Sequence, residues 1–195
     1  EGLRRALKLA AEFGITSLTE ANADEATLRA WQSLQDSGGL TARVSVSLST
    51  NPEAGPEQVA RLEALRAATH GSNLSASAAK IFVDGVIESQ TAALLEPYLG
   101  PKQGQRGLPI FTPEALDALV AALDRARFQV HIHAIGDRAV RMSLDAFERA
   151  RAANGARDSR HHIAHLELID PADIPRFAAL GVAANFQPLW AYADN

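Results

Sequence analysis

The chain contains no cysteine, and this absence excludes several kinds of site at once. Without thiols the protein can form neither a disulfide framework nor a zinc finger, and it has no thiolate nucleophile. Any metal ion must therefore bind through nitrogen and oxygen ligands.

Basic residues are too few and too dispersed for a nucleic-acid surface. The chain has 19 Lys and Arg against 23 Asp and Glu, a formal net charge of −4, whereas phosphate binding requires a clustered excess of positive charge. Long apolar runs are lacking as well, so we expect no membrane segment. With 195 residues, 47% of them hydrophobic, the chain can bury a core as one globular domain over residues 1–195.

Strand-like segments alternate with helix-like segments over nearly the whole chain. We predict strands at residues 15–19, 42–48, 78–85, 130–133, 160–165 and 181–186. Alternation of this kind implies a parallel sheet with right-handed crossovers. An open doubly wound sheet is the alternative, but no Gly-x-Gly-x-x-Gly follows the first strand. We therefore predict an α/β fold, an incomplete (β/α)8 TIM-like barrel of about six β/α units.

The fourth strand carries two histidines and runs directly into a helix. His131 and His133 alternate with Val130 and Ile132, so both imidazoles project from one face. Asp137 is expected to cap the helix that follows the turn at Gly136. His133 then lies at the carboxyl end of its strand, where parallel α/β folds place their chemistry. The alternative is a pair of hydrogen-bonded core histidines, and we favour a packed core role for His131.

The third strand places a lysine inside the fold. Lys80 shares a face with Phe82 and Asp84, and a buried ammonium is costly unless it is paired, linked to a metal or deprotonated. Pairing with Asp84 is the plain structural alternative. The loop over residues 86–111 is long for a compact domain, and loops of that length are usually lids or binding loops.

The fifth strand adds a third candidate ligand. His161, Ile163 and His165 are predicted to share one face, while His161 and His162 at its start are expected to be solvated or capping residues. A barrel would bring Lys80, His133 and His165 together around one axis. Their nitrogen and oxygen chemistry suits zinc or a similar divalent ion.

Three motifs in this order resemble a known superfamily. They are Lys80-Ile-Phe-Val-Asp-Gly85 with Ser89-Gln-Thr-Ala-Ala-Leu-Leu-Glu-Pro-Tyr98, then His133-Ala-Ile-Gly-Asp-Arg-Ala-Val140, then Arg160-His-His-Ile-Ala-His165. The sequence is similar to the amidohydrolase superfamily, and specifically to the metal-dependent branch related to N-substituted formamide deformylase. Residues 1–195 would then be part of an amidohydrolase catalytic barrel.

The resemblance implies a metal-dependent hydrolase that acts on carbon–nitrogen bonds of small, non-peptide amides. His133 and His165 would bind one or two divalent ions, with zinc expected, and a carboxylated Lys80 would be a further ligand. A metal-activated water would attack the carbonyl carbon. Lys80 and Asp84 would be the catalytic residues, with Asp84 and the following loop shaping the substrate pocket.

The sequence also departs from the family pattern. The family's His-x-His pair on the first barrel strand is absent, and its aspartate on the last strand would lie beyond Asn195. Ala164 stands where glutamate is common, and Gln90 stands where arginine is common. We therefore expect an internal piece of a longer enzyme, with weak metal binding and little or no turnover.

Two other functions fit the same residues. A desolvated Lys80 would also suit a Schiff-base barrel lyase. Alternatively, the chain would be a non-catalytic scaffold whose exposed sheet edges pair in a homo-oligomer. Neither nucleic acid nor membrane is an expected partner, and a cytoplasmic location is expected.

Overall fold

Helices and strands alternate along the chain in the computed structural model, which describes residues 1–99 and 104–187. The helices are α1 (Gly2–Glu12), α2 (Glu25–Asp36), α3 (Val59–Ala68), α4 (Pro113–Arg125), α5 (Asp137–Asn154) and α6 (Ile174–Leu180), with a 3-10 turn at Pro56–Gln58 before α3. The strands are β1 (Ser17–Ala23), β2 (Arg43–Ser49), β3 (Leu74–Phe82), β4 (Gln129–Ala134), β5 (His162–His165) and β6 (Ala183–Phe186). No helix among these residues is long and apolar enough to cross a membrane.

Local sequence signals explain where two of the helices begin. Helix α2 begins after Asp24, whose carboxylate accepts a hydrogen bond from the Thr27 N–H at 2.8 Å. Helix α4 begins after Thr112, whose hydroxyl accepts one from the Ala115 N–H at 3.3 Å, with proline at the first helical position. Helix α5 differs from the prediction, because Gly136 is its N-cap and Asp137 is its first helical residue.

The chain forms two compact units, Glu1–Thr50 with Glu57–Lys80, and Asn51–Pro56 with Ile81–Asn195. In the first unit, β1, β2 and β3 pair in parallel and in chain order. The core of this unit consists of the buried side chains Trp31, Val44, Val46, Leu48 and Leu62.

In the second unit, β4, β5 and β6 also pair in parallel and in chain order. The chain leaving β3 lies beside β4, because the Val83 N–H donates to the His133 carbonyl at 3.0 Å. The core between this sheet and helices α4 and α5 contains the fully buried side chains Leu116, Leu119, Leu123, Val130, Ile132 and Leu144.

The strand order β1 to β6 follows the chain throughout, and each strand is joined to the next by a helical connection. An order without reversal is the barrel order, whereas a doubly wound sheet reverses direction at a switch point. The predicted fold, an incomplete (β/α)8 TIM-like barrel of six β/α units, is confirmed. The strand boundaries differ by a few residues, most clearly at β3, which begins at Leu74 and ends at Phe82.

Asp84 anchors the loop that follows β3. One carboxylate oxygen accepts hydrogen bonds from the N–H groups of Ala93 and Gly136, both at 2.9 Å, and the other accepts one from Ile135 at 3.0 Å. The loop is thereby joined to the segment between β4 and α5. Asp84 itself lies two residues beyond the end of β3, and its side chain is buried.

The same loop caps helix α5. The Ala93 carbonyl accepts hydrogen bonds from the N–H groups of Arg138 at 3.1 Å and Ala139 at 3.4 Å, and Asp137 Oδ1 accepts one from Leu95 at 2.8 Å. A Cβ at Gly136 would collide with the Ala93 carbonyl oxygen, so only glycine permits this approach. Hydrogen bonds at Ala93 and Leu95 therefore hold this part of the loop against the start of α5.

His161, one residue before β5, is buried against α4 and α5. Its ring stacks on Phe147 with centroids 4.8 Å apart, and its Nε2 lies 3.1 Å from Asp124 Oδ1. The Val130 N–H donates to Nδ1 at 3.0 Å, so the ring is held neutral with its proton on Nε2. Burial lowers the pKa of His161 to about 4, although Asp124 acts in the opposite direction. The prediction that His161 is a solvated or capping residue is wrong.

We predict that Asp84→Asn destabilises the second unit by about 3 kcal/mol, because a carboxamide has one acceptor oxygen and its NH2 group would face backbone donors. Urea unfolding followed by circular dichroism measures the change. Asp158→Asn is the matched control, since the Asp158 side chain is 71% exposed and its one recorded ion pair is with Arg160. A loss below about 1 kcal/mol for Asp84→Asn would contradict the anchoring role.

We also predict that the free energy of unfolding falls between pH 6.5 and about 4 because of His161. The unfolded state binds a proton to this ring in that window and the folded state does not, so stability is complete above pH 6.5 and is lost as the pH falls. The loss is about 3 kcal/mol. Urea unfolding of wild type and His161→Gln across this range should differ in slope, whereas the exposed His70→Gln control should follow wild type.

Candidate active site at the carboxyl ends of β4 and β5

His133 lies near the carboxyl end of β4 and is buried in contact with the loop that Asp84 anchors. Its Nε2 lies 3.0 Å from the Gly85 carbonyl oxygen and 3.6 Å from Asp84 Oδ1. The Phe82 ring packs against the imidazole, with centroids 5.2 Å apart. Because the Gly85 carbonyl can only accept, the Nε2 atom of His133 carries a proton and donates this hydrogen bond.

His165 reaches His133 because β5 ends in an unusual backbone turn. In the parallel register His133 pairs with Ala164 and Ala134 pairs with His165, so strict alternation would direct His165 to the opposite face. His165 and Leu166 instead adopt positive φ values of 82° and 58°. The two imidazole rings are in edge contact, with centroids 4.5 Å apart.

The prediction that His165 shares a face with His161 is therefore wrong. The barrel fold was also expected to bring His133 and His165 together, and their rings are in contact. Residues other than glycine rarely adopt positive φ, and such strain is concentrated at functional sites. The Leu166 N–H donates to the Ala134 carbonyl at 3.1 Å and stabilises the turn.

Asp84 lies next to His133, but its oxygens are already occupied by backbone N–H groups. Burial raises the pKa of the Asp84 carboxyl, while its three N–H donors and His133 act in the opposite direction. The carboxylate is 2% exposed, so the contacts in this structure make Asp84 a positioning group for the loop and for Ile135 and Gly136. Its predicted contact with substrate stays a prediction.

Lys80 belongs to the first unit and is 3% exposed. Burial lowers the pKa of its ammonium group to about 8, so a fraction of the amine is neutral at physiological pH. Its carbonyl oxygen accepts hydrogen bonds from the Thr50 N–H at 3.1 Å and the Thr50 hydroxyl at 2.6 Å. The strand lysine is therefore buried as expected, and its part in the site stays a prediction.

Glu167 is a further residue at this end of β5 that was not predicted from the sequence. This residue follows His165 by two positions, and its Oε1 atom is buried with no hydrogen-bond partner among the residues that the structure describes. Burial raises the pKa of Glu167, and Glu88 and Asp84 raise it further. The signal that could have revealed it is its position just past the carboxyl end of a barrel strand, where functional side chains are common.

The donor atoms at this site partly match what a divalent ion needs. Two imidazoles on adjacent strands are suitable ligands for zinc. Within residues 1–99 and 104–187, however, no group of three or more His, Asp or Glu side chains is arranged to hold a metal ion. The second unit thus presents a pair of candidate ligands, and their binding of a metal ion stays a prediction. His131 is not part of it, since it is buried with its ring 4.0 Å from that of His162, in agreement with its predicted core role.

Comparisons with known proteins extend over the whole chain. Residues 1–195 match the Amidohydrolase family. The chain is similar to the exoenzymes regulatory protein AepA of Pectobacterium carotovorum subsp. carotovorum, with 31% identity over 195 residues that cover 98% of this chain and 41% of that protein. It is also similar to the protein LONG AFTER FAR-RED 3 of Arabidopsis thaliana, with 40% identity over 109 residues that cover 56% of this chain and 18% of that protein.

Among solved structures, an uncharacterized metal-dependent hydrolase from Pyrococcus furiosus has a similar fold. The TM-score is 0.79 at 28% identity, and the match covers 95% of this chain and 37% of that one. The chain thus spans less than half the length of these relatives. Because the family match includes every residue, the chain belongs to the amidohydrolase family.

Proposed function

We propose that the chain is part of a metal-dependent hydrolase that cleaves carbon–nitrogen bonds in small, non-peptide amides. The observation that carries the proposal is the edge contact of His133 and His165 at the carboxyl ends of adjacent barrel strands. Family membership and the similarity to an uncharacterized metal-dependent hydrolase support the hydrolase part of the proposal. The resemblance to N-substituted formamide deformylase makes N-formyl and N-acyl amines the first substrates to test.

His133 and His165 would hold a divalent ion, with zinc the expected metal. Such an ion polarises a carbonyl group and lowers the pKa of water to about 7. The Gly85 carbonyl accepts a hydrogen bond from the Nε2–H group of His133 and thereby orients the ring. Asp84 keeps the loop in place around this ring, so its role is to position His133 and the backbone beside it.

Lys80 is a candidate for carboxylation, as the family resemblance implies. The neutral fraction of its amine can add to carbon dioxide, forming an N–C bond and releasing one proton, and the product is a carbamate with anionic oxygens. Burial favours this reaction because it lowers the pKa of the ammonium group to about 8. The carbamate would also remove the cost of a buried cation.

The same neutral amine supports a second candidate function, a lyase that forms a Schiff base at Lys80. Attack of the amine on a carbonyl with loss of water gives an imine, and borohydride reduces it to a stable secondary amine. Covalent trapping of a carbonyl substrate at Lys80, identified by peptide mass spectrometry, would favour the lyase over the hydrolase.

We predict that removal of either histidine weakens zinc binding by roughly tenfold or more. Equilibrium dialysis with elemental analysis compares wild type, His133→Ala and His165→Ala, with His70→Ala as the control. Hydrolysis of N-formyl and N-acyl amines in the presence of zinc is measured on the same samples. Equal zinc binding by all four proteins would refute the proposed metal site.

We predict a carbamate at Lys80. After equilibration with 13C-labelled bicarbonate, carbon NMR of the protein should show one slowly exchanging carbamate signal that disappears in Lys80→Met. Lys8→Met is the control, because the Lys8 side chain is 80% exposed. A spectrum that is the same for wild type and Lys80→Met would exclude carboxylation.

A further inference from the structure

The backbone on both sides of Glu167, two residues after His165, is bound to the carboxyl end of β4. The residues on either side of it are bound to the end of β4, since the N–H groups of Leu166 and Leu168 donate to the carbonyls of Ala134 and Ile135 at 3.1 and 3.0 Å. The Ile135 N–H is in turn bound to Asp84. Glu167 is therefore fixed by the same network that positions His133.

The Glu167 carboxylate has an acceptor atom with no hydrogen-bond partner in residues 1–99 and 104–187. Its Oε1 atom is buried and makes no hydrogen bond, although leaving a buried acceptor unsatisfied costs free energy. The buried aspartates described in the second unit are well bonded. Asp84 accepts three backbone hydrogen bonds, Asp124 is bonded to Arg157, Asn154 and His161, and Asp173 is bonded to Arg141 and Arg176. Unsatisfied atoms of this kind are explained by a ligand or an ordered solvent molecule.

The surroundings of Glu167 determine which ligand would satisfy it. Asp84 and Glu88 are close enough to act on its charge, so an anion would be repelled and a hydrogen-bond donor would be attracted. The proposed function assigns the metal ion to His133 and His165, which leaves the substrate as the source of a hydrogen-bond donor for Glu167. The remaining donor in an amide substrate is its N–H group.

We propose that Glu167 Oε1 accepts a hydrogen bond from the amide N–H of the substrate, and thereby selects amides that carry a hydrogen on nitrogen over N,N-disubstituted ones. This inference rests on the proposed amide hydrolase function. It makes Glu167 a specificity residue at the nitrogen side of the bond that is cleaved. A site that hydrogen-bonds a substrate donor rejects analogues without it, because its own acceptor is then left unpaired.

The test uses two sulfonamides that the proposed reaction does not cleave, N-benzylmethanesulfonamide and its N-methyl derivative. Their dissociation constants are measured by titration calorimetry on the purified protein. We expect wild type to bind the N–H compound roughly tenfold more tightly, the value of one hydrogen bond to a charged group. Glu167→Ala should bind both compounds equally, and Glu167→Gln should retain part of the preference through its carbonyl oxygen.

Glu88→Gln is the matched control, since it removes a neighbouring negative charge and leaves the acceptor in place, so the preference should persist. Unfolding curves establish that each variant is folded. Equal affinities for the two compounds in wild type, no binding of either, or a preference that survives in Glu167→Ala would each overturn the inference. Zinc content is determined in parallel: its loss in the histidine variants tests the hydrolase proposal, and it should be unchanged in Glu167→Ala.

Discussion

The hydrogen bonds of one buried carboxylate organise the described part of the site. Asp84 joins three backbone segments, because its oxygens bind Ala93 in the loop after β3 and Ile135 and Gly136 after β4. His133 packs beside this carboxylate, and the segment with Glu167 is bound to the same end of β4. Burying a carboxylate costs free energy unless backbone N–H groups donate hydrogen bonds to it. The three hydrogen bonds that Asp84 accepts join the loop to the segment after β4.

The features that follow from local chemistry were predictable. The alternation of strands and helices, the N-caps Asp24 and Thr112 and the burial of Lys80 and His133 all depend on residue type and short-range spacing. The resemblance of three motifs to amidohydrolases agrees with the match to the family over residues 1–195. Each of these features is determined by interactions that the sequence displays within a few residues.

The features that were missed depend on partners distant in the sequence. His161 is buried because it contacts two different helices: its Nε2 atom lies within hydrogen-bond distance of Asp124, and its ring stacks on Phe147. Gly136 rather than Asp137 caps α5, since the loop supplies the Ala93 carbonyl that approaches this helix end. His165 reaches His133 only through positive φ values, which side-chain alternation does not describe. Glu167 was not predicted because its distinguishing feature, a buried Oε1 atom without a hydrogen-bond partner in the described part of the chain, depends on the folded structure.

The long sequence separation of the Asp84 contacts has a consequence for the order of folding. Asp84 bonds to Ile135 and Gly136 across 51 and 52 residues, and contacts of that range form after local ones because a long loop must close first. The loop after β3 therefore depends on β4 and the first turn of α5 for its hydrogen-bond partners. The surroundings of His133 are for this reason a property of the second unit as a whole and not of β4 alone.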